Sequence, residues 1–282
     1  MFGSDSATER LLRTVPRFAG ATRLSWRPLH GGQTNRSVRV DADGEAFAVR
    51  QSAPRRPGDP RLPLEREWQL LHSLSARFLA PEPVWHDAEA GLLVTRFQAG
   101  TVWTAKRLRD PAHRSALVAL LRRVHAVDAP LPAFAPVAAA ERYWAHYCTV
   151  AKPAPTAAAA WQRFLRERER LGAALELHHV CHNDVMYSNL IGDPPLLLDW
   201  EFAARSDPLF DLATVAVYHD FDEAACAALL LAYTGRRDAS ERERLALLCR
   251  LCRYVSGFWQ LARRGRESVS GEGAIALPAA PL

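Results

Sequence analysis

Lysine is almost absent from this sequence of 282 residues, in which only Lys106 and Lys152 occur beside 34 arginines. The arginines are scattered rather than gathered into a basic stripe with aromatic residues, which argues against a nucleic-acid-binding surface. No apolar run approaches the roughly 18–20 residues that a membrane span needs. The first residues lack the hydrophobic segment of a secretory signal, so we expect a cytoplasmic protein without membrane insertion. The net charge of +5 favours anionic ligands.

Cysteine is also scarce, with five residues in the whole sequence. An odd number without a secretory signal predicts reduced thiols rather than a disulfide framework. Cys249 and Cys252 have the spacing of some metal and redox sites, but they lie in an apolar helical pattern without a second Cys or His pair. The spacing therefore indicates buried helix packing. Apolar content of 49% and charged content of 24% are ordinary for a globular protein.

The N-terminal third has the pattern of a small antiparallel sheet. Apolar and polar side chains alternate on both sides of Asp43-Gly44, a dipeptide that favours a tight hairpin turn. Apolar residues then recur at helical spacing after a Pro- and Arg-rich loop. The predicted elements are strands over 23–29, 37–41, 46–50, 83–87 and 91–97, a loop over 53–63 and a helix over 64–77.

The rest of the sequence is mainly helical in pattern. Asp110 followed by Pro111 is a typical helix start, with Asp as the cap and Pro in the first turn. The segment 181–201 is too broken for a helix and is predicted as loop, strand, turn and strand. Further helices are predicted over 140–149, 157–178, 208–219, 222–234 and 239–263.

These patterns predict an α+β fold with two lobes. Residues 1–98 would form a small N-terminal lobe with an antiparallel sheet, and residues 99–264 a larger, mainly helical C-terminal lobe. We expect the tail over 265–282 to be disordered because it is rich in Gly, Ser, Pro and Ala. A cleft between two such lobes suits a nucleotide and a second substrate.

The most informative segment is 181–201. Asp184 is followed by four residues and then Asn189, and Asp199 comes ten residues later at the end of an apolar run. The spacing matches the H-x-D-x-x-x-x-N catalytic loop and the metal-binding Asp of kinase-like phosphotransferases. Asp184 would accept a hydrogen bond from an attacking hydroxyl, and the side-chain oxygens of Asn189 and Asp199 would hold Mg²⁺. An ordinary surface loop is the alternative, because Asp and Asn are common in loops.

Three neighbours of these residues are further candidates. His182 lies two residues before Asp184, and we expect it to brace the loop rather than transfer protons. Glu201 lies two residues after Asp199 and would contact a second metal ion, contact the acceptor, or simply be solvated. Trp200, between them, is a candidate for acceptor binding together with Glu201.

The segment and its continuation, Leu-Leu-Asp-Trp-Glu-Phe-Ala, resemble the superfamily of choline/ethanolamine kinases, thiamine kinases and aminoglycoside phosphotransferases. The resemblance extends from about Leu29 to Tyr233 and is strongest over 180–215. It implies a protein-kinase-like fold and ATP- and Mg²⁺-dependent phosphorylation of a small-molecule hydroxyl. It also implies that Asp211 supports the catalytic loop, although a helix cap is a compatible alternative.

The resemblance assigns a phosphate-binding role to a cation on the third strand. Many relatives have lysine there, whereas this sequence has Arg50, which is permanently charged and can contact two phosphate oxygens. A surface arginine at a strand end is the alternative. Glu67 resembles the helix glutamate that pairs with this cation, and Glu65 is the competing choice because it points to a different face.

A second expected contact with the nucleotide is the loop over 30–35. Gly31 and Gly32 would let backbone N–H groups approach a phosphate, and Asn35 ends the loop. An ordinary hairpin turn is the alternative.

The expected acceptor is a choline- or thiamine-like alcohol, since the Asp-Trp-Glu-Phe-Ala form is closest to those branches. The alternatives are an aminoglycoside or amino sugar, or a kinase-like module that binds without catalysis. Asp199-Trp200-Glu201 in place of Asp-Phe-Gly, without a following Ala-Pro-Glu, argues against a protein kinase. ATP or GTP as donor and the oligomeric state are left open by the sequence.

Overall fold

A computed structural model describes residues 5–29, 35–55 and 59–264 of the chain. The described chain packs as two units. The first unit consists of the described residues up to Thr104 together with Tyr187–Glu201, and the second of Ala105–Met186 and the residues from Phe202 onward. The predicted α+β class is confirmed. The division into lobes at residue 98 stays a prediction, and the tail over 265–282 lies outside the described residues.

An antiparallel sheet of five strands is the centre of the first unit, as the described residues have it, in the order β1-β2-β3-β5-β4. Val38 and Val40 alternate with more exposed residues on β2, so that one face of the sheet is apolar. Asp43 and Gly44 form the predicted hairpin turn, both with positive φ. The strands are β1 (Leu24–Leu29), β2 (Arg36–Ala42), β3 (Glu45–Gln51), β4 (Pro83–Asp87) and β5 (Leu92–Arg96).

The helices of the first unit are α1 (Asp5–Leu12), α2 (Pro16–Ala19) and α3 (Leu64–Ser75). The sequence predicts only α3. Leu12 and Phe18 are fully buried in the same apolar core as Phe47 of β3, and the rings of Phe18 and Phe47 meet edge to face at 5.2 Å. Segments of 8 and 4 residues are too short for a helical period to be distinguished, so tertiary packing decides these two elements.

The second unit is mainly helical. Its longest helix, α10, contacts α6 and α8, and an aromatic cluster that includes Trp144, Trp161 and Phe258 fills the space between α6, α7 and α10. All the cysteines are free thiols, and Cys252 is buried in α10 as expected. The helices are α4 (Ala105–Arg109), α5 (Pro111–His125), α6 (Pro136–Val150), α7 (Pro155–Ala173), α8 (Pro208–Tyr218), α9 (Glu223–Thr234) and α10 (Ala239–Arg264).

The segment predicted as loop, strand, turn and strand contributes short elements to both units. In the second unit, β6 (His179–Cys181) pairs with β9 (Ala204–Ser206). In the first unit, β7 (Leu190–Ile191) pairs with β8 (Leu196–Leu197). Among residues 5–29, 35–55 and 59–264, no helix combines the length and the apolar character that crossing a bilayer requires.

Candidate active site

The first unit places an arginine between two carboxylates. Arg50 lies near the end of β3, and its two terminal nitrogens, Nη1 and Nη2, bond the two oxygens of Glu67 on α3 at 2.8 and 2.6 Å. Nη1 also bonds Oδ1 of Asp199 at 2.7 Å. Glu65, the competing choice for this ion pair, is exposed on another face of α3, so the partner is Glu67.

Burial sets the charges of this cluster. Burial alone lowers the pKa of Arg50, but the adjacent carboxylates of Glu67 and Asp199 outweigh it and raise that pKa above its ordinary value. Burial, followed by the charge of Asp199, raises the pKa of Glu201 to about 8. Burial therefore disfavours the charged form of Glu201, whereas Arg50 stays charged.

A backbone hydrogen bond joins one predicted magnesium ligand, Asn189, to the residue that precedes the other, Asp199. The N–H of Leu198 donates to the carbonyl of Asn189 at 2.8 Å, and β7 and β8 form a hairpin between these positions. Asp199, the next residue, has a φ of +59°, in the left-handed region that strand residues do not adopt. Asn189 and Asp199 therefore belong to one short hairpin of the first unit.

Trp200 and Glu201 are both buried, with different consequences. Trp200 is 0% exposed, and its indole N–H donates to the carbonyl of Leu197 at 3.1 Å. This geometry favours a packing role for Trp200 over the predicted contact with an acceptor. The carbonyl of Glu201 accepts from the N–H of Leu62 at 2.6 Å, and Arg61 lies 3.9 Å from its carboxylate.

A cavity of about 230 Å³ adjoins this cluster in the first unit. Arg50, Glu67, Arg61 and Glu201 line one part of it, and residues 88–91 of the β4–β5 turn line another. Asn35 is buried, and its nearby amide partly offsets the rise that burial causes in the pKa of Glu201. Gly31 and Gly32, the expected phosphate-binding glycines, lie outside the described residues.

In the second unit, Asp211 braces the predicted catalytic loop. Its carboxylate is 0% exposed and accepts from the backbone N–H groups of His182 at 3.0 Å and Asn183 at 2.6 Å. Nε2 of His125 lies 3.0 Å from the same carboxylate. The alternative interpretation of Asp211 as a helix cap is wrong, because the cap of α8 is Asp207, which accepts from Leu209 N–H at 2.8 Å.

The loop itself is shaped by internal contacts. Asn183 has a φ of +63°, and its amide donates to the carbonyl of Phe202 at 3.0 Å. His182 is fully buried, and its Nδ1 lies 3.3 Å from the N–H of Asp184. These contacts agree with a bracing role for His182, and Asp184 is half-buried.

The surroundings of Asp184 include side chains from two helices that are distant in the sequence. The hydroxyl of Tyr218 on α8 lies 3.2 Å from Oγ of Ser256 on α10. Burial, followed by the charge of Asp184, raises the pKa of Tyr218, which is also hydrogen-bonded to that carboxylate. Ser256 and His125 carry no local signal in the sequence, because their contacts join positions 38 and 86 residues apart.

Three buried side chains of the second unit have the residue types of metal ligands. They are His125, Cys181 and Asp211, and one possible ligand atom from each lies within 4.8 Å of the others. The 3.0 Å separation of His125 Nε2 and Asp211 Oδ2 is a hydrogen-bond distance. Two ligands of a tetrahedral zinc ion would lie about 3.3 Å apart. Both oxygens of Asp211 also accept backbone N–H groups. The group is therefore a hydrogen-bonded brace, and burial keeps the pKa of the Cys181 thiol high.

The model of one protein family, described as the phosphotransferase enzyme family, matches residues 25–248. Among curated proteins, the chain is 26% identical over 253 residues to acyl-CoA dehydrogenase family member 11 of Gallus gallus and 26% identical over 220 residues to protein LicA of Haemophilus influenzae. These alignments cover 77% and 73% of this chain but only 31% and 62% of those proteins. The chain thus spans less than two thirds of the length of either relative.

Solved structures share the fold. Choline kinase LicA of Streptococcus pneumoniae has a TM-score of 0.76 at 17% identity, over 96% of this chain and 94% of that one. A spectinomycin phosphotransferase in complex with ADP and spectinomycin has a TM-score of 0.61 at 14% identity, over 93% of this chain and 87% of that one. The predicted protein-kinase-like fold is therefore confirmed.

Proposed function

The chain belongs to the phosphotransferase enzyme family, and from this premise we propose that it is an ATP- and Mg²⁺-dependent kinase that phosphorylates a hydroxyl of a small molecule. The observation that carries the proposal is the cluster of Arg50, Glu67 and Asp199 in the first unit. A guanidinium fixed by a buried glutamate is suited to phosphate oxygens, and the aspartate beside it is suited to a divalent cation.

Arg50 is proposed to bind the nucleotide phosphates. Its planar group offers several N–H donors and cannot lose its charge in a protein. Glu67 holds it with two bonds, which fixes the plane of the guanidinium before a ligand arrives. Asn35, together with Gly31 and Gly32, is proposed to contact the same phosphates, and ATP is the proposed donor.

Asn189 and Asp199 are proposed to hold Mg²⁺. Their donor atoms, an amide oxygen and a carboxylate, fit a hard cation that prefers oxygen ligands and retains several waters. The bound ion would supply neutralisation of the phosphate charge. The chain's own contribution is the hairpin that joins these two residues through the bond from Leu198 N–H to Asn189 O. Glu201 is proposed as a nearby acidic group for a second ion or the acceptor.

Asp184 is proposed to orient the acceptor hydroxyl and to receive its proton late in the reaction. The loop that carries it is held by Asp211 through two backbone N–H groups and by His182. This bracing supports the role, because phosphoryl transfer depends more on positioning than on covalent help from the protein.

The proposed acceptor is a choline- or thiamine-like alcohol. The form of residues 199–203, Asp-Trp-Glu-Phe-Ala, supports it, and so does the fold likeness to choline kinase LicA. An aminoglycoside or amino sugar is the second candidate, which the likeness to the spectinomycin phosphotransferase supports. The cytoplasmic location stays a prediction.

Acceptor-stimulated release of ADP tests the proposal. The purified chain would be assayed with ATP and Mg²⁺ against choline, ethanolamine, thiamine, amino sugars and aminoglycosides, with Asp184→Ala as the inactive control. We expect one acceptor class to stimulate release in the wild type and none to do so in the variant. Nucleotide binding without turnover on any alcohol would instead identify a binding module.

A further inference from the structure

Arg50 and the proposed magnesium ion have a common partner. Oδ1 of Asp199 accepts a bond from Arg50 Nη1 at 2.7 Å, and the same nitrogen bonds Glu67 Oε1 at 2.8 Å. The Arg50 side chain is 12% exposed, so solvent screens these contacts little. Asp199 is therefore both the second carboxylate partner of a buried arginine and a proposed metal ligand.

The hydrogen bonds from Nη1 and Nη2 of Arg50 leave its third nitrogen, Nε, without a partner among the described residues. Its Nε is buried and makes no hydrogen bond to a residue of the described chain. A buried donor without a partner is uncommon and costly in a native protein, and a ligand oxygen is one way to satisfy it. Phosphate oxygens would supply such an acceptor and would draw the guanidinium toward the nucleotide.

We propose that Arg50 is the resident counter-cation of Asp199 and competes with a divalent metal ion for that carboxylate. The inference rests on the proposed function and goes beyond it. A metal ion at Asp199 would lie close to a positive charge that cannot be titrated away. The ion therefore binds weakly to the protein alone and strongly with a nucleotide, whose phosphates take over Arg50.

This competition couples the two ligands. Because coupling between binding sites is reciprocal, the factor by which the nucleotide strengthens metal binding equals the factor by which the metal strengthens nucleotide binding. A lysine at the same place would be a point charge that rotates freely, whereas the planar fork of arginine bonds both carboxylates at once.

Titration of the nucleotide-free protein with Mn²⁺, followed by electron paramagnetic resonance of the free ion, tests the inference without any acceptor or turnover. Arg50→Gln removes the competitor while Asp199 stays. We expect Mn²⁺ affinity to rise by at least about tenfold, within the ordinary range of coupling between sites. Adding Asp199→Asn to Arg50→Gln should abolish the gain, which shows that the ion measured is at Asp199.

Arg61→Gln is the matched control. Arg61 carries the same charge, lines the same cavity and is 9% exposed, but its guanidinium contacts Asp59, Glu201 and the carbonyl of Ala53 rather than Asp199. We expect its Mn²⁺ affinity to change by less than about threefold, because Arg50 still bonds Asp199 and the separation of Arg61 from Glu201 is a loose 3.9 Å. An equal gain in Arg61→Gln and Arg50→Gln would overturn the inference.

Circular dichroism and urea unfolding would establish that each variant folds. If Arg50→Gln does not fold, Arg50→Lys keeps the charge but not the planar fork, and we expect a smaller gain in Mn²⁺ affinity. If the folded Arg50 variant binds Mn²⁺ with unchanged affinity, the proposed competition is contradicted. The proposed kinase function is not contradicted by that result, because the ADP-release assay tests it independently. Wild-type binding of Mn²⁺ with ATP that is insensitive to Asp199→Asn would contradict the proposed magnesium site as well.

Discussion

At the scale of single residues, the role proposed for Asp184 makes the strongest demand. Asp184→Ala removes the group that orients the acceptor hydroxyl and receives its proton. We expect kcat to fall by about 10²–10⁴-fold, the usual contribution of a general base. Binding of ATP, measured by calorimetry, should be largely retained, because the proposed phosphate contacts belong to Arg50. A variant with full turnover would refute the assignment.

Tyr218 lies beside Asp184 through a tertiary contact between positions 34 residues apart. Its hydroxyl is hydrogen-bonded to the Asp184 carboxylate and lies 3.2 Å from Ser256 Oγ, with the Cys252 thiol nearby on α10. A donated hydrogen bond favours the ionised form of a carboxylate. Tyr218→Phe should therefore move the acid limb of the pH profile of kcat/KM to higher pH and lower kcat by about tenfold.

The control for Tyr218 is Ser256→Ala, which removes the other partner of the hydroxyl and keeps the bond to Asp184. We expect its acid limb to stay near that of the wild type. If the acid limb of the pH profile is the same in the wild type, Tyr218→Phe and Ser256→Ala, Tyr218 only packs against the loop. A packing role does not change the protonation of Asp184.

At the scale of helices and strands, the cap of α8 joins three parts of the second unit. Asp207 is fully buried and accepts from Leu209 N–H at 2.8 Å, from Glu176 N–H at 3.0 Å and from Arg244 Nη2 at 2.6 Å. Asp207→Ala loses the cap and leaves buried donors unsatisfied. We expect the free energy of unfolding to fall by about 3–5 kcal/mol.

Asp222→Ala is the comparison, because Asp222 caps α9 from an exposed position and accepts from Ala225 N–H at 2.7 Å. Losing that cap should cost about 1 kcal/mol. Urea unfolding of both variants measures the difference. Equal losses would mean that the buried contacts of Asp207 add nothing to ordinary capping.

The regular elements could be predicted from the sequence because their signals are local. Alternation around Asp43-Gly44 indicates the hairpin, and Asp110-Pro111 indicates the start of α5, whose cap is observed. The two N-terminal helices and α4 are too short to show a period. The observed ends of long helices also differ from the predicted ends by several residues. For example, α7 ends at Ala173, whereas the sequence pattern predicts a helix to residue 178. Tertiary contacts decide such ends.

The sequence proposes Asp184, Asn189 and Asp199 as site residues because their spacing itself carries chemistry, and their roles stay predictions. The candidate site was not predictable where packing selects between neighbours. The sequence favours Glu67 by resemblance and leaves Glu65 as a competitor, and the orientation of α3 places Glu67 against Arg50. The brace from His125 to Asp211 joins residues 86 positions apart, a distance at which a single sequence carries no signal.

At the scale of the whole molecule, acid stability should depend on a histidine outside the proposed site. His219 is buried at the end of α8, and burial lowers its pKa from 6.5 to about 4. Above pH 6.5 both the folded and the unfolded chain hold this imidazole neutral, so no stability is lost. As the pH falls from 6.5 toward 4, only the unfolded chain takes up the proton, and the free energy of unfolding decreases by about 1–2 kcal/mol by pH 5.

His219→Phe tests this linkage through the pH dependence of unfolding rather than through stability at one pH. Urea unfolding at pH 7.5 and pH 5 should show a smaller difference in the variant than in the wild type, because the variant has no imidazole to protonate there. His178→Gln removes an exposed histidine of the same unit and should leave the wild-type difference intact. If the wild type and His219→Phe lose equal free energy of unfolding between the two pH values, groups other than His219 cause the loss of stability in acid.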